Sequence, residues 1–182
     1  DNTLKGLLTG DYEWDAGVEN LVSGYVDYAA EVIVDRAIPK IDGLKPSQRR
    51  ILYTMYLSKL FSGNKISRAK CANIVGDTMK LHPHGDASIY DTLIHMVDSA
   101  KYLNVPYIKG KGNFGKVYDT SSPAAYRYTE AGLTNIATEE LFRDMQGVQM
   151  LSSYDDTRVE PDLLPVTFPS ILFNFSTGIA VA

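Results

Sequence analysis

The chain has 182 residues, 45% of them hydrophobic and 22% charged, a composition that can bury a sizeable core and excludes a disordered or low-complexity polymer. No apolar run is long enough to span a bilayer, no signal peptide opens the chain, and the single cysteine, Cys71, excludes an internal disulfide, so a reducing, cytoplasmic compartment is the default. The net charge of −4 argues against a polyanion partner only until it is divided along the chain. Residues 1–35 hold eight acids against Lys5 alone, 36–80 hold ten bases against Asp42 and Asp77, 81–133 are balanced, and the remainder is acidic. That division is the footprint of a polyanion-binding face on an acidic body.

Residues 1–15 read as an irregular arm. From Val18 the apolar positions Leu21, Val22, Tyr25, Val26, Ala29, Val32 and Ile33 follow helical spacing until Pro39. Pro46 opens a second helix through Ile51, Leu52 and Met55, with Arg49 and Arg50 on its polar face. Asp42 and Gly43 read as turn residues. Ser67 is the expected N-cap of a third helix with Ala72, Val75 and Met79 on one face. Pro83 and Gly85 break that helix, and Asp86 caps a fourth carrying Ile89, Leu93, Met96 and Val97. Two helices joined by a short turn after a basic helix fit a helix-turn-helix unit, and the Gly-, Tyr- and Asn-rich stretch 102–120 is a candidate wing. Leu133, Ile136, Ala137 and Leu141 mark one more helix, and 148–182 alternates prolines with short β-like runs. The chain begins at Asp1 and ends in the apolar run Ile179 to Ala182, which reads as an interrupted strand; we expect a fragment of a longer polypeptide.

Several motifs carry chemistry. In Ala125-Tyr126-Arg127-Tyr128-Thr129-Glu130 one arginine sits between two tyrosines. A phenol has a pKa of about 10, so a nucleophilic tyrosine needs positive charge nearby, which Arg127 offers to either neighbour. The same guanidinium suits the non-bridging oxygens of a phosphodiester. Lys45, Arg49 and Arg50 cluster by helical geometry and could neutralise phosphates. His82 and His84, on a tight turn, suit hydrogen bonding to phosphate or proton transfer. Their spacing with His95 and Cys71 matches none of the usual zinc sets. Gly110 to Gly115 matches G-x-G-x-x-G, but the loop-like sequence that follows fits close backbone approach better than dinucleotide binding. Asn174-Phe175-Ser176 is a sequon by chance. No acidic cluster suited to magnesium and no Walker-type loop is present.

Taken in order, Arg36-Ala37-Ile38-Pro39, Asp42 to Pro46 with Gln48-Arg49-Arg50, His82-Pro83-His84-Gly85-Asp86, Gly112 to Gly115, Arg127 to Glu130 and Ser176 to Val181 resemble the breakage-reunion subunit of bacterial type IIA DNA topoisomerases, over roughly residues 25–182. The resemblance implies an α+β fold: a 1–24 arm, a CAP-like winged-helix cleavage domain over 25–150, and the start of a second α/β, tower, domain over 151–182. It implies that Tyr128, following Arg127, is the nucleophile that becomes joined to a DNA 5′ phosphate. Arg36, Lys45, Arg50, His82 and His84 are then expected near the scissile phosphate, Arg49 among the DNA contacts, and Ile179 as a wedge between base pairs. Double-strand cleavage implies a homodimer, with Mg2+ and ATP held by a partner B subunit in a heterotetramer, two copies of each, acting on double-stranded DNA at the nucleoid.

Three departures stand out against that family. The spacer from Pro39 to Asp42 is one residue short, Tyr126 stands where methionine is frequent, and Ala87 replaces a serine at the expected quinolone site, where Asp91 is kept. Reduced quinolone sensitivity is the expectation. Two other classes remain at this point: a type IIB-like DNA-cleaving protein, and a non-enzymatic helix-turn-helix module in which Tyr128 would be core.

Overall fold

The computed structural model describes residues 14–61, 67–98, 103–116, 122–174 and 176–179. They form a mixed α+β structure that divides into two compact units, one of Asp1–Ile38 with Thr177–Ala182 and one of Pro39–Ser176.

In the first unit, α1 (Trp14–Val32) runs into a π-helical turn over Ile33–Ala37, closed by the Ile38 amide on the Ile33 carbonyl at 3.1 Å. The helix expected before Pro39 is therefore present, with Leu21, Val22, Tyr25 and Val26 exposed along it. Gly178 passes so close to Ala37 that a Cβ there would collide with the Ala37 carbonyl.

The second unit is built on α2 (Pro46–Leu57), α3 (Cys71–Thr78) and α4 (Asp86–His95). Ile51, Leu52 and Met55 of α2, Ile74 and Val75 of α3, and Ile89 and Leu93 of α4 meet in one buried cluster. Each such aliphatic side chain contributes roughly 1.5–3 kcal/mol by leaving water. Across this core lies an antiparallel sheet in the order β1 (Ala69–Lys70), β3 (Glu130–Leu133), β2 (Ile108–Lys111). Helix α5 (Asn135–Leu141) follows β3 directly, capped by Thr134 Oγ1, which accepts from the Ala137 amide.

Two helix starts differ from expectation. Ser67 lies ahead of β1, outside the N-cap position; α3 opens at Cys71, because its first amides find the Thr129 and Tyr126 carbonyls. Gly85 holds the N-cap position of α4, and Asp86 is its first residue. Met79, expected on the packed face of α3, is exposed. The glycine-rich stretch is a strand end plus a loop: Gly110 packs under Val97 and Phe114, and Gly112 and Gly115 take positive φ of 118° and 75°.

The stretch after residue 150, expected to begin a second domain, lies in the Pro39–Ser176 unit. The hairpin β4 (Met150–Ser152) and β5 (Val159–Pro161) belongs with 39–149, through Glu160 on Arg50, Leu164 in the core, and Lys40 on Asp162 at 2.8 Å. Asn174 is buried, bonded through both side-chain polar atoms to the Val105 backbone, which suits a structural asparagine.

Candidate active tyrosine and nucleic-acid interface

The stretch from Ala124 to Thr129 forms a turn pinned at both ends. The Tyr128 amide closes it on the Ala125 carbonyl at 2.9 Å. Tyr90, from α4, donates its hydroxyl hydrogen to the Ala124 carbonyl at 2.7 Å and lies 2.9 Å from Thr129 Oγ1. Since that hydrogen is already committed, Thr129 donates to the Tyr90 oxygen. From α3, the Cys71 and Ala72 amides donate to the Thr129 and Tyr126 carbonyls at 3.0 and 3.1 Å. The turn thus satisfies amides that a side-chain cap would otherwise serve, which is why α3 needs no Ser67. A Cβ on Gly112 would sit 3.2 Å from Thr129 Cγ2, so the glycine loop supports the same segment.

On this fixed turn the two tyrosines point to different fates. Tyr126 donates to Asp86 Oδ2 at 2.8 Å and packs edge-on against the Tyr90 ring. The hydrogen bond to Asp86, then the Asp86 charge, raise the Tyr126 pKa, with Arg127 opposing. A phenol so held is a donor and a poor nucleophile. Tyr128 is 66% exposed, and the Arg127 guanidinium carbon lies 5.0 Å from its ring centroid. The local geometry therefore separates two residues that are equivalent in sequence. Burial of Tyr128 as core is excluded.

A second group is built from three elements. Arg50 of α2 donates Nε and Nη2 to the two carboxylate oxygens of Glu160 on β5, at 2.6 and 2.7 Å, and its Nη1 lies 2.8 Å from Nδ1 of His82. The rings of His82 and His84 are 4.2 Å apart. Lys45 holds the N-cap position of α2, half-buried, its amide bonded to Gln48 Oε1 at 2.9 Å.

Arg49 turns inward. Expected among the DNA contacts, it is 4% exposed, with Nε and Nη2 on Asp42 at 2.6 and 2.8 Å and Nη2 also on the Leu44 carbonyl. Asp42 is more than a turn residue: it accepts further bonds from the Leu44 and Leu164 amides. An arginine on the helix face toward a buried carboxylate cannot reach a phosphate without stranding that charge. Other bases of 36–80 are also ion-paired within the chain: Lys40, Arg50, Lys70 with Glu130 at 2.9 Å, and Lys80 with Asp77. Lys70 and then Lys111 hold the Glu130 carboxyl below its usual range.

Arg36 and Ile179 lie in the first unit, both exposed, Ile179 at 91%. Ala87 and Asp91 are exposed one turn apart on α4. Sequence reasoning missed Tyr90, Thr129 and Glu160. Tyr90 falls in an apolar helical run and reads as packing, and nothing in the local pattern pairs Glu160 with a residue 110 positions away. Among the described residues no group of three or more His, Cys, Asp or Glu side chains could hold a metal ion.

Residues 36–182 match the family model for the A subunit of DNA gyrase/topoisomerase IV. The chain belongs to this family. It is 46% identical over 180 residues to the DNA gyrase A subunit of Deinococcus deserti, covering 96% of this chain and 21% of that protein. The DNA gyrase A subunit of Thermotoga maritima is 47% identical over 167 residues, 90% of this chain and 20% of its own length. The Borreliella burgdorferi protein of the same name is 46% identical over the same length. The chain spans about a fifth of the length of these gyrase relatives. No helix among the described residues is long and apolar enough to cross a membrane.

Proposed function

We propose that this chain is the DNA-cleaving and religating part of a type II topoisomerase, with Tyr128 as nucleophile. The observation that carries the reading is the contrast on one turn: Tyr128 is exposed beside Arg127, while Tyr126 is tied to Asp86. The Tyr128 oxygen attacks a DNA phosphorus, the bond to the 3′ oxygen breaks, and a 5′ phosphotyrosyl link forms with a free 3′ hydroxyl. Because one ester replaces another, resealing needs no external energy. Arg127 stabilises charge building on the non-bridging oxygens. His82 and His84 serve phosphate binding or proton transfer, with Arg36 and Lys45 adding charge and Ile179 wedging the duplex.

The helices α2 to α4 and the β1–β3–β2 sheet serve, in this reading, as a winged-helix domain with α4 presented to DNA. A homodimer supplies two copies of Tyr128, and two copies of a partner B subunit complete the heterotetramer and supply Mg2+ and ATP hydrolysis, at the nucleoid in the cytoplasm. Magnesium bound by that partner would neutralise phosphate charge; this chain's described residues offer no cluster of ligands for it. Family membership favours this reading over a type IIB-like enzyme, and the exposure of Tyr128 over a regulator with a tyrosine in its core. The test is supercoiled plasmid with magnesium and a cognate B subunit, stopped with detergent and protease. Tyr128→Phe should abolish linear product and leave DNA binding in place; undiminished cleavage would refute the assignment.

A further inference from the structure

We propose that Glu160, on the β4–β5 hairpin, is a positioning residue that sets the tautomer and orientation of His82 through Arg50, an inference that rests on reading the chain as a DNA-cleaving module. Both carboxylate oxygens of Glu160 are engaged, Oε2 by Arg50 Nε at 2.6 Å and Oε1 by Nη2 at 2.7 Å. A guanidinium is a rigid plane, so fixing two of its nitrogens fixes the third. The third, Nη1, is directed at His82 Nδ1 at 2.8 Å. Arginine has no acceptor, so Nδ1 must accept and the imidazole carries its proton on Nε2. The far edge of the ring is thereby made a hydrogen-bond donor, suited to a phosphate oxygen or to a departing 3′ oxygen.

The arrangement is well protected. The Glu160 side chain is 11% exposed and that of Arg50 24%, so the fork is shielded from competing water and salt. The three partners come from β5, α2 and the turn after α3, so the hairpin after residue 150 completes a group begun in the helices. Arg50, expected near the scissile phosphate, transmits the geometry of Glu160 to His82.

Two measurements test this. With 15N-histidine label in this chain, and His82 assigned by loss of its signals in His82→Gln, wild-type His82 should show an unprotonated, hydrogen-bonded Nδ1 and a protonated Nε2. In Glu160→Gln the Nδ1 resonance should move toward that of an unbonded nitrogen. In covalent-complex formation by the full-length protein with its cognate B subunit, Glu160→Gln should slow single-turnover cleavage on the order of tenfold, by analogy with the loss of outer partners that orient metal-bound histidines, without changing DNA affinity. Added to His82→Gln it should cost nothing further. If Glu160→Gln does not fold, Arg50→Lys, which keeps the charge and loses the fork, takes its place, read by the His82 spectrum and the double-variant comparison alone. An unchanged His82 spectrum, or additive effects in the double variant, would overturn the proposal. Failure of the wild type to form any covalent complex would count against the DNA-cleaving reading alone, since the spectrum still decides the role of Glu160.

Discussion

The Tyr126 hydroxyl donates to Asp86 Oδ2 at 2.8 Å, and that bond ties the N-terminal end of α4 to the turn carrying Tyr128. Because the acceptor is a carboxylate, the phenol is held protonated and its pKa is raised above 10.0, through the Asp86 hydrogen bond first and the Asp86 charge second. A raised folded-state pKa stabilises the fold fully below the unfolded value and loses that contribution as pH climbs through the folded one. The difference in melting temperature between wild type and Tyr126→Phe should therefore be constant below about pH 9 and shrink above pH 10. Cleavage by Tyr126→Phe should persist at a rate close to wild type, measured as covalent complex per unit time. Loss of cleavage comparable to that in Tyr128→Phe would contradict the assignment.

The Asp42–Arg49 pair should behave as a structural element. Asp42→Ala leaves a buried guanidinium uncompensated and should cost about 3–5 kcal/mol in urea unfolding. Arg49→Lys keeps the charge but cannot reproduce the two-pronged contact, so it should destabilise as well. Were Arg49 a phosphate contact, the lysine variant would retain stability and alter only the salt dependence of DNA binding.

Gly43 sits at φ 71°, and a Cβ there would meet Ser170 Oγ and the Ile171 amide. Gly43→Ala should lose roughly 1–3 kcal/mol, read from the urea midpoint. An unchanged midpoint would show that the Ser170 segment yields without cost.

Ala87 and Asp91 share an exposed face of α4 one turn apart. Restoring a hydroxyl in Ala87→Ser should increase quinolone-stabilised cleavage complex at a given drug concentration. Equal titration curves for the two proteins would remove Ala87 from the drug site.

The helices were legible because their apolar spacing is local: Ile51, Leu52 and Met55, or Ile89 and Leu93, announce a buried face from neighbours alone. The order of motifs singles out Tyr128, and the Tyr126 bond to Asp86 gives that proposed choice a physical basis. What stayed hidden depends on distant partners. Ser67 looked like a cap because the carbonyls that serve α3 belong to Thr129 and Tyr126. Arg49 looked solvated because its carboxylate, Asp42, resembled an ordinary turn residue. Glu160 lies in the stretch expected to begin a second domain, and its contact with Arg50 spans 110 positions.

The covalent link itself reports the identity of the nucleophile. Cleavage complexes trapped with detergent, digested with nuclease and protease, and read by tandem mass spectrometry should place the residual nucleotide on Tyr128. A nucleotide on Tyr126, or on any other residue, would exclude Tyr128 as the nucleophile.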